Sequence, residues 1–380
     1  MDFRLSEEQS ILRDMVRDFA TREIEPIAAE SDAEHRFPTE ILQKASALGL
    51  MGVTVPVEYG GSGMDYLSYI LILEEIAKSC ASTAVILSVH NTLGCGTLLK
   101  FGNEDQKTQW LSAAAKGESL GAYLLTEPGA GSDAASLTCR AEKVEGGWKV
   151  NGSKAFITNA GHASFGILYA STDSSKKSRG ISAFYLDMHS DGVQVGAEEA
   201  KMGLNASSTV MVNLEDVFVP ANALLNEEGN GFSMALEMLN LGRIGIAAQA
   251  LGMAEAALEE SLKYSMEREQ FGQPIGRFES IQEKLTTMHM EVEAARLLTY
   301  RAALAADQGE NLILPAATAK LFASKAAVRC AEAAVQIHGG YGYSKEYKVE
   351  RIFRDARVTE IYEGTSEVQR LVMARQLLDM

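Results

Sequence analysis

The hydrophobic period of this chain changes twice along its length, and that limits its fold more than any other feature. Up to about residue 119 the pattern is helical. Ile11, Leu12, Met15, Val16 and Phe19 recur on one face behind a Ser6–Gln9 capping box. A second helix runs from about Thr39 to Gly49, a residue suited to a left-handed C-terminal position. After "YGGSGMD" come long apolar stretches, Leu67 to Ile76 and Ala81 to Leu99. Asn103 opens a further helix with Glu104 and Asp105 at its positive end, and Gly117 closes it.

From residue 120 the pattern becomes strand-like. "LTCRAEKVEGGWKVNGSKAFITN" predicts two strands joined by a turn at Gly146 and Gly147. "FGILYAS", "GISAFYLD" and "TVMVNLEDVFVP" are further strands. Strands follow strands without intervening long helices, so an antiparallel sheet is expected. After "NEEGNGF" the helical period returns, with helices over 232–265, 280–308, 315–338 and 366–378 and a shorter piece near 346–356. Pro315 suits a first helical turn, and four such helices make a bundle. The expected fold is α+β: an N-terminal α-helical domain (1–119), a middle antiparallel β-domain (120–231) and a C-terminal four-helix bundle (232–380).

Composition narrows the function classes. The 380 residues hold 35 Lys and Arg against 51 Asp and Glu, a net charge of −16. That field repels nucleic acid and anionic membranes, while leaving room for a local basic pocket. Four cysteines without a CxxC pair suggest buried thiols in a reducing compartment. Six histidines form no HxxxH or HExxH, so no metal site is expected. "MDFRLSEEQS" shows no signal-peptide pattern, and no apolar run approaches the ~20 residues of a membrane span. The chain reads as cytoplasmic, or as a mature protein of an organellar matrix.

Several short stretches have chemical potential. "GAGSDA" (129–134) matches the dinucleotide-binding pattern GxGxxA, but "SLTCRAEKV" continues it as a strand rather than a helix. Either its amides and the hydroxyls of Thr126 and Ser132 line an extended cofactor, or it is a plain surface turn. "QIHGGYGYS" (336–344) can end a helix and let a ligand lie on bare backbone, or simply cap and loop; His338 is expected to pack. Arg243 lies in the apolar run "LNLGRIGIAAQALG", so it needs an anionic or polar partner, from a ligand or another helix. Arg268 reads as a helix-end charge before a turn. In "TEIYEGTSEVQR" (359–370), Glu363 stands just before a helix start suggested by the capping-box spacing of Ser366 and Gln369.

Taken in order, "YLLTEPGAGSDA", "KAFITN", "GRIGIAAQALG", "REQFGQPI", "QIHGGYGYS" and "RDARVTEIYEGTSEVQRLV" closely resemble the acyl-CoA dehydrogenases, of the short-chain (butyryl-CoA) type. The resemblance implies non-covalent FAD and a homotetramer built as a dimer of dimers. It also implies α,β-dehydrogenation of an acyl-CoA to the trans-2-enoyl-CoA, with electrons passed to electron-transferring flavoprotein. By the same resemblance Glu363 is the catalytic base. Tyr123, Leu125, Thr126, Gly131, Ser132, Phe156, Ile157 and Thr158 lie along the flavin. Arg268, Phe271, Glu279, Gln336, Ile337, Gly339 and Gly340 contact FAD across the dimer interface, and Thr365 and Glu367 lie next to it. Ser132, Asn240, Arg243, Tyr362 and Gly364 contact substrate. "SVHNTLGCGTLLKFG" (88–102) resembles the segment that closes the acyl pocket in short-chain members.

The chain departs from the family pattern at several positions. Some relatives carry the base where Gly242 stands, which leaves Glu363 alone for the role. Glu279 and Asn240 replace a usual glutamine and a common aspartate, Phe156 a frequent tryptophan, and Asn205 the arginine of a GxRxS loop. An acyl-CoA oxidase shares fold and base and differs in passing electrons to oxygen; a branched- or medium-chain dehydrogenase is a further alternative. Non-catalytic DNA-associated relatives need a basic surface, which −16 opposes.

Overall fold

The computed structural model describes residues 4–379; residues 1–3 and 380, at the outer ends of the first and third expected segments, lie outside the described residues. The chain begins with α1 (Glu7–Phe19), capped as its sequence predicts: Ser6 and Gln9 exchange reciprocal bonds of 3.1 Å. A π-turn leads into α2 (Glu25–Glu34), and α3 (Thr39–Ala47) ends before Gly49 at φ 74°. The apolar stretches form α4 (Tyr66–Ser79) and α5 (Ala81–Ser88), which runs through a π-segment (Val89–Cys95) into α6 (Gly96–Phe101). Asn103 and Gln106 make a second capping box at α7 (Glu104–Gln106); a π-turn and α8 (Ser112–Ala115) follow, and Gly117 sits at φ 73°.

One expectation is corrected here. Ala81–Phe101 is a 21-residue helical stretch of mean hydropathy 1.2, long and apolar enough for a span. It is mostly buried inside the protein, where it supplies core to its neighbours.

The middle segment holds β1 (Gly121–Leu124), β2 (Arg140–Val144), β3 (Gly147–Thr158), β4 (Phe165–Ser171), β5 (Ile181–Asp187), β6 (Val193–Glu198), β7 (Thr209–Pro220) and β8 (Leu224–Leu225). They form one sheet in the order β6-β7-β3-β2-β4-β5-β8, with β1 paired to β4. Most pairings are antiparallel, and Val144 opposite Gly147 closes the expected hairpin. The sheet is mixed, however. β1 runs parallel to β4, and β2 meets β4 in parallel at Arg140–Ser171. Residues 125–164 supply the long connection a parallel pair requires. The largely exposed β6, where Val193, Val195 and Ala197 alternate with Gln194, Gly196 and Glu198, was not foreseen. The GAGSDA turn opens no helix, only a short 3-10 turn (Ala134–Ser136) before β2, so a dinucleotide-binding βαβ unit is absent there.

An ion pair the sequence did not reveal holds this turn. Lys154 and Glu127 are both buried, 2.8 Å apart. Glu127 also accepts from the backbone N–H of Thr138 (2.6 Å) and Cys139 (2.9 Å), while Lys154 donates to the Leu125 carbonyl (3.2 Å). Both Glu127 oxygens thereby accept, and Lys154 donates to two oxygens, the kind of partnering a buried charge demands.

The last third contains α9 (Gly231–Glu267), a hairpin of β9 (Glu269–Gln270) and β10 (Gln273–Pro274), α10 (Glu279–Asp307), α11 (Ile313–His338), α12 (Lys348–Ala356) and α13 (Ser366–Leu377). Ala247, Ala248, Ala250 and Ala254 are fully buried on α9, small enough to let α4 and α11 pack closely against it. Polar clamps join the segments. Asp307 accepts from Tyr66 N (2.6 Å) and Leu67 N (3.2 Å), and Leu204 N donates to the buried Asp355 (2.6 Å).

Removing one member of the buried pair leaves the other charge without its partner. Lys154→Met is therefore expected to cost about 3–5 kcal/mol, read as a lower urea midpoint for strand-rich unfolding. An unchanged midpoint would show that the pair does not hold the sheet.

Candidate active site

The centre of α9 provides the floor of the site. Gly242 lies beneath the turn that joins α12 to α13, and a Cβ there would stand 2.3 Å from Glu363 Oε2 and 3.0 Å from its Cδ. Only glycine admits the carboxylate in this position. Arg243, next in the helix, is buried; its Nη1 donates to Asn240 Oδ1 (2.8 Å) and its Nε to the Glu363 carbonyl (3.3 Å). Its partners are thus an amide oxygen and a carbonyl, not a carboxylate salt bridge.

The turn has two consecutive residues in the left-handed region, Glu363 at φ 52° and Gly364 at φ 95°. Glycine takes this conformation readily; a glutamate does so only where its surroundings impose it. The carbonyls of both residues face inward to donors. Gln369 Nε2 reaches the Glu363 carbonyl (3.3 Å) and the Gly364 carbonyl (2.9 Å), and Lys320 Nζ reaches the latter at 2.8 Å. The expected Ser366–Gln369 capping box is therefore corrected. Thr365 is the N-cap of α13, accepting from Val368 N at 3.3 Å, and the Gln369 side chain serves the turn instead.

Burial dominates the electrostatics. Glu363 Oε2 is inaccessible and has no hydrogen-bond partner among the described residues. Loss of solvation pushes the carboxyl up to about 7, opposed by the positive charges of Lys320 and Arg243. Lys320 is fully buried; desolvation brings its ammonium down to about 8, with Glu363 pulling the other way. Buried Tyr66, Tyr69 and Tyr123 and half-buried Tyr362 lie near the acid. Tyr362 bonds Gln249 Oε1 and Tyr66 bonds the Leu241 carbonyl (2.8 Å). Tyr66, Tyr69 and Tyr123 are raised by burial, with smaller contributions from the nearby Glu363 charge.

Lys320 and Gln249, and the hold of the Gln369 side chain on the turn, were not foreseen from the sequence. Lys320 left a legible trace: a charge in "LPAATAKLFASKAAV" with small residues on its own face. The amides left none, because helix contacts conceal such partners.

The remaining expected positions divide into two groups. Tyr123 and Leu125 are buried at and just after the end of β1, and Thr126 bonds across to β3 through Ala155 N (2.9 Å). The β3 register shifts between Lys154 and Ile157, and Phe156, at φ 56°, is turned out with 67% of its surface exposed. Ile157 beside it is buried and Thr158 half-buried, while Gly131 and Ser132 stand exposed on the turn. Glu363, Gly364, Thr365, exposed Glu367, Tyr362, Arg243 and Asn240 complete this group on the bundle side.

The second group lies at the other end of α11. Phe271 (φ 53°, 95% exposed) and Gly272 form the tip of the β9–β10 hairpin, and Arg268 stacks over Tyr341 at 5.5 Å. Gln336 is exposed, Ile337 buried, and Glu279 exposed at the start of α10. His338 is a packing residue: Nδ1 contacts the Ala334 carbonyl at 2.8 Å and the ring stacks on Tyr264. From Lys320 to Gln336, α11 rises about 24 Å at 1.5 Å per residue. One chain does not bring the two groups together.

These residues fit a long, flat cofactor. The unpartnered Glu363 oxygen, the outward Phe156 ring and the hydroxyls of Thr126, Ser132 and Thr158 suit a ring system with polar edges. Gly129, Gly131, Gly339 and Gly340 border open space, since a Cβ at any of them would meet nothing within 4 Å. Gly339 at φ 61° also needs the freedom of glycine.

Comparison with known proteins identifies the family. Models of the acyl-CoA dehydrogenase N-terminal, middle and C-terminal domains match residues 6–118, 122–217 and 229–378. The chain is 48% identical over 374 residues to the mitochondrial short-chain specific acyl-CoA dehydrogenase of Rattus norvegicus, covering 98% of this chain and 91% of that protein. Butyryl-CoA dehydrogenase from Megasphaera elsdenii superposes with a TM-score of 0.98 at 45% identity, covering all of both chains. A chain solved in work on the electron transferring flavoprotein of Acidaminococcus fermentans superposes at 0.99 and 43% identity, again over all of both. A half-buried acid with one inaccessible oxygen above a glycine, on a helical–sheet–helical chain matched over nearly its whole length, has one consistent reading: the protein belongs to the acyl-CoA dehydrogenases, FAD-dependent oxidoreductases.

Proposed function

We propose that this enzyme dehydrogenates short-chain acyl-CoA thioesters of the butyryl-CoA type to trans-2-enoyl-CoA, with Glu363 removing the α-proton. The observation that carries this reading is the Glu363 carboxylate: half-buried, with one oxygen inaccessible and unpartnered, raised to about 7 by lost solvation and opposed by the charges of Lys320 and Arg243. An α-proton of a thioester is only weakly acidic. A desolvated carboxylate is a stronger base for it than one in water.

The turn supplies the second requirement. With the carbonyls of Glu363 and Gly364 drawn inward, the Glu363 N–H has no acceptor among the described residues. It is available to a thioester oxygen that gains charge as the proton leaves. Arg243, Asn240, Tyr362, Gly364 and Ser132 hold the acyl-CoA. Tyr123, Leu125, Thr126, Gly131, Ser132 and Phe156–Thr158 hold the flavin on one side, with Thr365 and Glu367 beside it. Bound FAD supplies an acceptor for the hydride that leaves the β-carbon.

Arg268, Phe271, Glu279, Gln336, Ile337, Gly339 and Gly340 serve a neighbouring subunit's FAD in a homotetramer. The separation of the two groups along α11 and the exposure of Phe271 and Tyr343 (90%) support that arrangement. Electron-transferring flavoprotein is the acceptor, supported by the Acidaminococcus neighbour. Short-chain preference is supported by the names of the relatives and by the buried Val89–Cys95 segment, with Tyr69 bonded to Ser88 at 3.3 Å.

Anaerobic butyryl-CoA is expected to bleach the flavin of purified holoenzyme; no bleaching with any acyl-CoA from C4 to C16 would overturn the reading. Turnover with a flavoprotein acceptor but not oxygen separates it from an oxidase. Glu363→Gln is expected to keep FAD and bind substrate yet lose about 10³-fold or more in kcat. Normal turnover by that variant would remove Glu363 from the role. Gly242→Ala should displace the carboxylate and lower kcat/KM about tenfold or more, with flavin content retained. The base works ionised, so kcat/KM should rise with pH through about 7; a flat profile from pH 5 to 9 would contradict it.

A further inference from the structure

The mechanism above leaves one buried charge without a task. Lys320 lies in the third turn of α11, fully buried, with Ala316, Ala317, Ala319 and Ala323 around it on the helix. A buried ammonium is costly, and lysine is rarely kept inside a protein unless it is paired. Its one hydrogen bond is to a neutral group, the Gly364 carbonyl at 2.8 Å. Neutral side chains could make such a bond without the desolvation cost, and Gln369 already makes one to the same atom at 2.9 Å. The ammonium's charge therefore calls for a separate reason.

The charged neighbours supply it. Glu363 acts on Lys320 most strongly, followed by Arg243 on α9, then Glu360 before the turn and Glu367 on α13. Glu360 is engaged elsewhere, with Lys325 at 3.0 Å and with Arg357, and Glu367 is exposed. On its other sides Glu363 faces the neutral phenols of Tyr66, Tyr69, Tyr123 and Tyr362. Lys320 and Arg243 are the cations that oppose its burial, and Lys320 is the larger influence.

We propose that Lys320 is a positioning residue for the base, holding the Glu363–Gly364 turn by the Gly364 carbonyl while its ammonium stands as counter-charge to the Glu363 carboxylate. This rests on Glu363 being the base. The two cations divide the work. Arg243 is tied to Asn240 and to the Glu363 carbonyl at the substrate side, whereas Lys320 approaches from inside the bundle, where no substrate atom need displace it. The charge that keeps the acid ionised thus stays in place through binding and release.

The test compares holoenzymes carrying Lys320→Met, Lys320→Gln and Lys320→Arg with the parent. Loss of the positive charge should move the acid limb of the kcat/KM profile upward by about one unit in the Met and Gln variants. FAD content and circular dichroism should stay at parent values. Lys320→Arg keeps the charge and should keep the limb where the parent has it. A purely structural lysine would alter stability or FAD content and leave the limb unmoved, which would overturn the proposal. It is equally overturned if Lys320→Arg moves the limb as far as the neutral variants do, since the positive charge would then not be what sets it. Failure of the Glu363 assignment is visible separately, as turnover by Glu363→Gln.

Discussion

The site depends on a carboxylate kept where water does not reach one of its oxygens. That arrangement is unfavourable in isolation, and the surrounding structure compensates for it in specific ways. Two cations face the acid from different helices, Arg243 from α9 and Lys320 from α11. Two backbone carbonyls are drawn inward by Arg243, Gln369 and Lys320, so the turn bearing the acid holds φ values that a glutamate seldom adopts. Gly242 gives up its side chain so that the carboxylate can lie against α9. Each part would be a defect alone; together they define one position for one carboxylate.

The helical scaffold makes this position reproducible. Arg243, Lys320 and Gln369 sit on three different helices, and their side chains meet only because α9, α11 and α13 are packed at fixed spacing. The long runs of buried alanine on α9 and α11 allow the close approach. The sheet does comparable work on the opposite side. The Lys154–Glu127 pair anchors the turn after β1, and the irregular register of β3 turns Phe156 outward. A rigid bundle therefore presents the acid while a pinned loop presents the facing surface.

How legible these features were in the sequence follows their range. The Ser6–Gln9 cap, the helix start at Asn103, the ends at Gly49 and Gly117 and the hairpin at Gly146 are local, and local rules located them. The long helices were legible for the same reason, since their period is written along the chain. The Ser366–Gln369 box was misread because Gln369 finds better acceptors in the Glu363–Gly364 turn, a contact no short window displays. The parallel pairing of β1 with β4 was missed because strand neighbours depend on the whole sheet. The buried stretch Ala81–Phe101 shows the same limit: an apolar helix looks alike in a core and in a membrane until its neighbours are known.

By itself the sequence determined the helical–sheet–helical order, most helix limits, and the run of motifs that carries the family resemblance. It also marked Glu363 as the acid left for the role once glycine occupied position 242. Only the tertiary structure decided the setting of that acid: the inaccessibility of one oxygen, the opposing charge of Lys320, and the room above Gly242. The reason is physical. Hydrogen bonding along a helix and the alternation of a strand are set by neighbours in the chain, whereas desolvation and charge–charge coupling are set by neighbours in space. Glu363 and Lys320 lie 43 positions apart in the sequence, and nothing short of the packed bundle brings the Lys320 ammonium to the carbonyl next to Glu363.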